Sequence, residues 1–112
     1  MRRGEVWWVD MEPTRGAEMG KIRLGVIINP DLIGTLPLRV IVPLTSWQPH
    51  LNTPWFVRID PSPNNGLWKP SVADCFQVRS LATLRFRNRA GVLAPDDLAK
   101  VTQAVVMVAG GL

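Results

Sequence analysis

Histidine and cysteine, which carry much of nucleophilic and metal chemistry, occur once each, as His50 and Cys75. A lone cysteine excludes an intrachain disulfide and argues against a cysteine metal centre. Cys75 falls inside the apolar–polar run Ser71-Val72-Ala73-Asp74-Cys75-Phe76-Gln77-Val78, where a buried, inert thiol is expected. His50 lies in Gln48-Pro49-His50-Leu51-Asn52, and no pattern pairs it with Cys75 or a serine. It is expected to be an exposed loop residue. No histidine–carboxylate cluster has metal-ligand spacing, so no metal site, cofactor or metal-dependent nuclease is expected. Glycine-rich phosphate loops are missing too. No run reaches the roughly 18 apolar residues that span a bilayer. The start, Met1-Arg2-Arg3, leads into Glu5 and Asp10 rather than an apolar leader, so a cytoplasmic location is expected. Neither an internal repeat nor a charged tail is present. Charged residues make up 20%, which speaks against wholesale disorder.

What is present fits one small domain over residues 1–112. Hydrophobic residues reach 46%, enough for one core. A chain of this length buries only about two-thirds of its unfolded surface, so further stabilisation by a dimer interface is unsurprising. Thirteen Lys and Arg face nine acids, for a net charge of +4 and a pI near 10.2. Arg79, Arg85, Arg87 and Arg89 fall in one stretch with no acid among them. Arg15, Lys21 and Arg23 form a second group, broken only by Glu18. Such groups suit an anionic partner, nucleic acid above all.

Glu5-Val6-Trp7-Trp8-Val9-Asp10 is rich in β-branched and aromatic residues and predicts a first strand. Residues 11–23 hold Pro13, Gly16 and Gly20 and read as a long exposed loop. Further strands are expected at 24–29, 38–44, 55–60, 71–79 and 90–93, with one helical turn at 80–84. Pro95, followed by Asp96 and Asp97, opens a helix. Its stripe is Leu98, Val101, Val105 and Val108, and Gly110 and Gly111 end it. Many short strands and one C-terminal helix predict a mainly β fold, a small β-barrel with short helices.

The remaining chemistry is that of arginine and hydroxyl groups. RNA carries its own nucleophile, the 2′-hydroxyl. An enzyme assisting its attack on the adjacent phosphorus needs no metal. It must orient the sugar-phosphate, stabilise charge on the phosphoryl oxygens and move two protons. A guanidinium meets those oxygens through two parallel hydrogen bonds, and a threonine hydroxyl adds a directional one.

Three blocks give this chemistry a context. The first is Arg3-Gly4-Glu5-Val6-Trp7-Trp8-Val9-Asp10, then Pro13-Thr14-Arg15-Gly16-Ala17-Glu18, Lys21-Ile22-Arg23 and Val26-Ile27-Ile28. The second is Val42-Pro43-Leu44-Thr45-Ser46, and the third runs from Gly66-Leu67-Trp68-Lys69-Pro70-Ser71 to Gln77-Val78-Arg79. In order and spacing they resemble the MazF/PemK/Kid toxins. The resemblance implies an SH3-like barrel dimer that cuts single-stranded RNA at short sequences without a metal. The implied products end in a 2′,3′-cyclic phosphate and a 5′-hydroxyl. It implies an acidic antitoxin that binds the basic groove near Arg15, Lys21, Arg79 and Arg85. Catalysis falls on Arg23 and Thr45. Ser71 and Gln77 would hold RNA, and Arg15, Glu18, Lys21, Lys69 and Arg79 are assigned with them. Glu18 is also a candidate base. Trp47 and Trp68, on loops, are candidates for stacking a base. The family usually has proline directly after the arginine, where this chain has Leu24. A gyrase poison of the CcdB type, or an RNA binder that does not cut, would use the same fold. Arg23 and Thr45 in their motifs favour the nuclease. Taken alone, Arg23 also reads as an ordinary strand-edge charge and Thr45 as a strand-end hydroxyl.

Overall fold

The computed structural model describes residues 1–12, 15–18 and 20–111. Pro13 and Thr14 of the first motif lie outside the described residues. The strands are β1 (Glu5–Asp10), β2 (Ile22–Ile27), β3 (Leu38–Ser46), β4 (Phe56–Ile59), β5 (Ser71–Asp74), β6 (Arg79–Ala82) and β7 (Phe86–Val92), followed by helix α1 (Pro95–Val108). All the pairings are antiparallel, in the order β4-β5-β3-β2-β1-β7, with β6 also on β3. The mainly β fold with a C-terminal helix is therefore as expected. The sheet bends without closing: among the described residues no ladder joins β4 to β7. Instead the Val92 N–H donates to the Asn64 carbonyl at 2.8 Å, so the 60–67 loop closes on β7. No helix among the described residues is long and apolar enough to cross a membrane.

Strand alternation gives the sheet two apolar faces. One gathers Val6, Val26, Val42, Leu44 and Ile59, and α1 covers it with Val101 and Ala104. The other gathers Val9, Met11, Ile27, Ile41, Leu81 and Phe86, flanked by Trp7. Each fully buried aliphatic side chain contributes about 1.5–3 kcal/mol. The helix follows its expected stripe through Leu98, Val101 and Val105, but Ala104 rather than Val108 completes the covered face. Cys75 is fully buried, and burial pushes its thiol up to about 12.

Several expected boundaries move. β2 begins at Ile22 rather than residue 24, so Arg23 lies on it and not in the loop, and β3 runs on to Ser46, so Thr45 lies within it. Residues 71–79 are not one strand. The Asp74 carboxylate accepts the Phe76 N–H at 3.2 Å and turns the chain into a single 3-10 turn, Cys75–Gln77, which separates β5 from β6. The helical turn expected at 80–84 is instead the end of β6 followed by a 3-10 turn at Thr83–Arg85. The last strand begins at Phe86, so Arg87 and Arg89 lie on it rather than in a loop. Their partners explain this: β7 lies against β1, which carries Asp10 and Glu5. Arg87 meets Asp10 at 3.1 Å and Arg89 meets Glu5 at 3.3 Å.

Candidate active-site cleft

The cleft arises where two strands part. β2 and β3 are paired through Ile27↔Ile41, Val26↔Val42 and Gly25↔Pro43, and there the ladder ends. On its other edge β3 exchanges partners at the same level. It leaves β6 after Ile41↔Arg79 and takes up β5 from Leu44↔Ala73 to Ser46↔Ser71. The Ile28 N–H donates to the Val40 carbonyl at 3.0 Å, so Val40 and Val42 bond toward β2. By alternation Ile41 and Pro43 turn their bonding groups to the opposite edge. Pro43, with no N–H to give to a ladder, thus stands where β3 passes from β6 to β5.

Beyond that point Arg23 of β2 pairs with Val9 of β1, and Thr45 of β3 pairs with Val72 of β5. Among the described residues no ladder pins Arg23 to Thr45, and a cleft of about 200 Å³ opens between the strand ends. Arg23, Thr45, Ser46, Lys69 and Ser71 supply its polar lining. Trp8, Leu24, Leu44, Leu67 and Trp68 supply the apolar part. Among the described residues two cations and no carboxylate or imidazole line it, which favours an anion. Leu24 packs against the α1-covered core rather than constraining Arg23.

Arg23 Nε donates to the Gly20 carbonyl at 3.0 Å, which fixes the fork of the guanidinium. Among the described residues no carboxylate pairs with it. Ahead of it, Lys21 has a left-handed backbone (φ 65°). Its N–H donates to the Glu12 carboxylate at 2.8 Å, and its carbonyl accepts the Met11 N–H at 2.9 Å. The base of the long loop is thereby pinched just before β2. Opposite, Ser71 is buried and its hydroxyl donates to the Lys69 carbonyl at 3.1 Å.

The match that decides the family covers nearly the whole chain. Residues 2–108 fit the family described as PemK-like, MazF-like toxin of type II toxin-antitoxin system. The chain belongs to this toxin family. A curated relative, Endoribonuclease MazF9 of Mycobacterium tuberculosis, is 32% identical over 111 residues, covering 94% of this chain and 92% of its own. The crystal structure of MazF from Deinococcus radiodurans has the same fold, with a TM-score of 0.82 and 23% identity over 98% of this chain and 96% of that one. An endoribonuclease in complex with its cognate antitoxin, from a mycobacterial species, gives a TM-score of 0.78 and 19% identity over 98% and 95% of the two chains.

Within this toxin-family fold the expected residues divide into groups. Arg23, Thr45, Lys69 and Ser71 share the cleft. Arg15, Glu18, Gln77 and Arg79 gather elsewhere. Glu18 accepts the Arg15 N–H at 3.1 Å and approaches Arg79 at 4.0 Å, while Gln77 Nε2 donates to the Ala17 carbonyl at 3.1 Å. Glu18 therefore braces the loop and does not line the cleft. Trp47 is also outside the lining, and Arg58 lies 4.6 Å from its ring centroid. Arg58 is itself held by Asp60 at 3.0 Å, so Trp47 does not offer that face to a base. Of the expected basic stretch, Arg87 and Arg89 are taken up by acids of β1, and Arg85 donates to the Asp10 carbonyl at 3.4 Å. His50 is exposed, as expected. Trp8 lines the cleft although sequence reasoning gave it no functional role. Its signal was the Trp7-Trp8 pair, whose members face opposite sides of one strand.

Proposed function

We propose that this chain is an endoribonuclease toxin that cuts single-stranded RNA at short sequences. The observation that carries the reading is that Arg23 and Thr45 line one cleft, whose described lining holds two cations and no acid. The names of its curated relatives support it. The 2′-hydroxyl oxygen attacks the adjacent phosphorus, and the bond to the 5′-oxygen breaks. A 2′,3′-cyclic phosphate and a 5′-hydroxyl result. Arg23 pairs with the phosphoryl oxygens and stabilises their charge in the transition state. Thr45 adds a hydrogen bond to the same group. The described lining holds no carboxylate or imidazole to act as a base, so the 2′-hydroxyl proton passes to water and the 5′-oxygen takes its proton from Arg23 or water. Lys69 and Ser71 hold the strand beside the cut. Arg15, Lys21, Gln77 and Arg79 guide its flank.

Incubation with a long mixed-sequence RNA in excess EDTA tests this. Cleavage should persist, and a single 2′-deoxy sugar at a mapped cut position should block it. Loss of all cutting in EDTA, or cutting at the deoxy position, would overturn the mechanism.

The proposal extends to partners. A homodimer is expected in light scattering at micromolar concentration, and a stable monomer would count against it. Solved neighbours are held in complexes with antitoxins. An acidic, partly disordered antitoxin that folds on binding would compete with RNA for this cationic surface.

A further inference from the structure

We propose that Trp68 is a stacking platform for a nucleobase of the nucleotide adjoining the cut phosphate. The inference rests on the RNA-cutting reading above. Among the described large apolar side chains, Leu84, Leu32 and Trp68 are the most exposed, and of these three Trp68, at 77%, lines the cleft. An indole this open contributes little to packing, so the fold gives no reason for it. Lys69 Nζ lies 4.6 Å from its ring centroid. A base stacked on the indole would therefore have an ammonium at hand for its flanking phosphate.

The residues beneath Trp68 are built rigidly. Asn65 is 1% exposed, and its side-chain oxygen accepts the Ser62 and Leu67 N–H groups at 3.1 and 3.0 Å. Its amide nitrogen donates to the Asp60 carbonyl at 2.9 Å. Gly66 takes φ +74°, and a Cβ there would collide with the Ala90 carbonyl. Leu67 is buried in the core immediately before the indole. On the far side the Trp47 N–H donates to the Pro70 carbonyl at 3.1 Å. A ring carried on such a mount loses little freedom when a ligand stacks on it. Trp47 makes the contrast: its cation is tied down by Asp60, whereas Lys69 makes no ion pair among the described residues.

Binding of a cleavage-resistant RNA tests the platform. The probe is a short single strand that the protein cuts, carrying a 2′-deoxy sugar at the cut position. Abasic sites are then placed one at a time beside the cut. Wild-type affinity should drop at one adjoining position. Trp68→Ala should bind the intact probe about 5- to 100-fold more weakly and no longer sense that abasic site. Trp68→Phe should retain most of the affinity. Two results would overturn the platform: Trp68→Ala binding as tightly as wild type, or weaker binding with the abasic penalty undiminished. Cleavage of the all-RNA parent by wild type separates the two readings. If the parent is cut while either result holds, only the platform falls. Should wild type neither bind nor cut any RNA, the RNA-cutting reading falls and the platform with it.

Discussion

Arg23 and Thr45 carry different demands. In the proposed mechanism the guanidinium meets two oxygens of one phosphate, a planar task that a lysine ammonium cannot reproduce. Arg23→Ala and Thr45→Ala should each slow cleavage on the order of 100-fold or more, as for loss of a transition-state donor. Arg23→Lys should also be impaired, and His50→Ala should cut like wild type in single-turnover assays. Both cleft residues were legible because they sit in local motifs, Lys21-Ile22-Arg23 and Pro43-Leu44-Thr45-Ser46. The different standing of Trp47 and Trp68 was not legible. Both look like loop tryptophans, and what separates them is Arg58, which reaches Trp47 from β4 and is anchored by Asp60. No local pattern announces that contact.

Element boundaries were legible where side chains alternate or a helix has its own start and stop signals. β1 and α1 therefore appear nearly as expected. They were illegible where one hydrogen bond interrupts a strand, as Asp74 does after β5. β7 was obscured for another reason. Its run Arg85-Phe86-Arg87-Asn88-Arg89 looks too charged for a strand until Asp10 and Glu5 lie beside it, and Asp10 is 77 residues from Arg87 in sequence. The same strand supports the cleft. A Cβ at Gly91 would run into the backbone of Asn64 and Asn65, so the 60–67 loop can close on β7 only over a glycine. Gly91→Ala should lower Tm by on the order of 10 °C, as overpacking against backbone does. It should also weaken RNA binding, because the displaced loop leads into Trp68. A Tm unchanged in thermal melts would show that the loop accommodates the methyl.

Across the whole molecule, the net charge of +4 is unevenly expressed. The β1–β7 side is neutralised by its own acids, while among the described residues no lining carboxylate opposes the cations of the cleft. Glu5 is the hub of the neutral side. Partial burial works to raise its pKa, but hydrogen bonds from the Arg2 N–H and the Trp7 indole outweigh it, aided by the N-terminal amine and Arg89. The net result is a carboxyl below its ordinary 4.5. A depressed acid stabilises the fold above its unfolded pKa, and that contribution is lost as pH falls through the folded value. Stability measured by urea unfolding should therefore decline as pH drops below about 4.5. Glu5→Gln should be less stable than wild type at neutral pH and show a shallower decline. Equal slopes in the two proteins would assign the acid sensitivity elsewhere.

The parting of β2 and β3 has a further consequence for which transcripts the toxin would damage. If RNA is cut in this cleft as proposed, a base held in a duplex cannot also lie on the Trp68 indole. A transcript's own folding would then act as armour, with cut sequences in stems spared and the same sequences in open stretches lost. Vulnerability would follow the shape of each message as much as its letters, and long unstructured messages would disappear first.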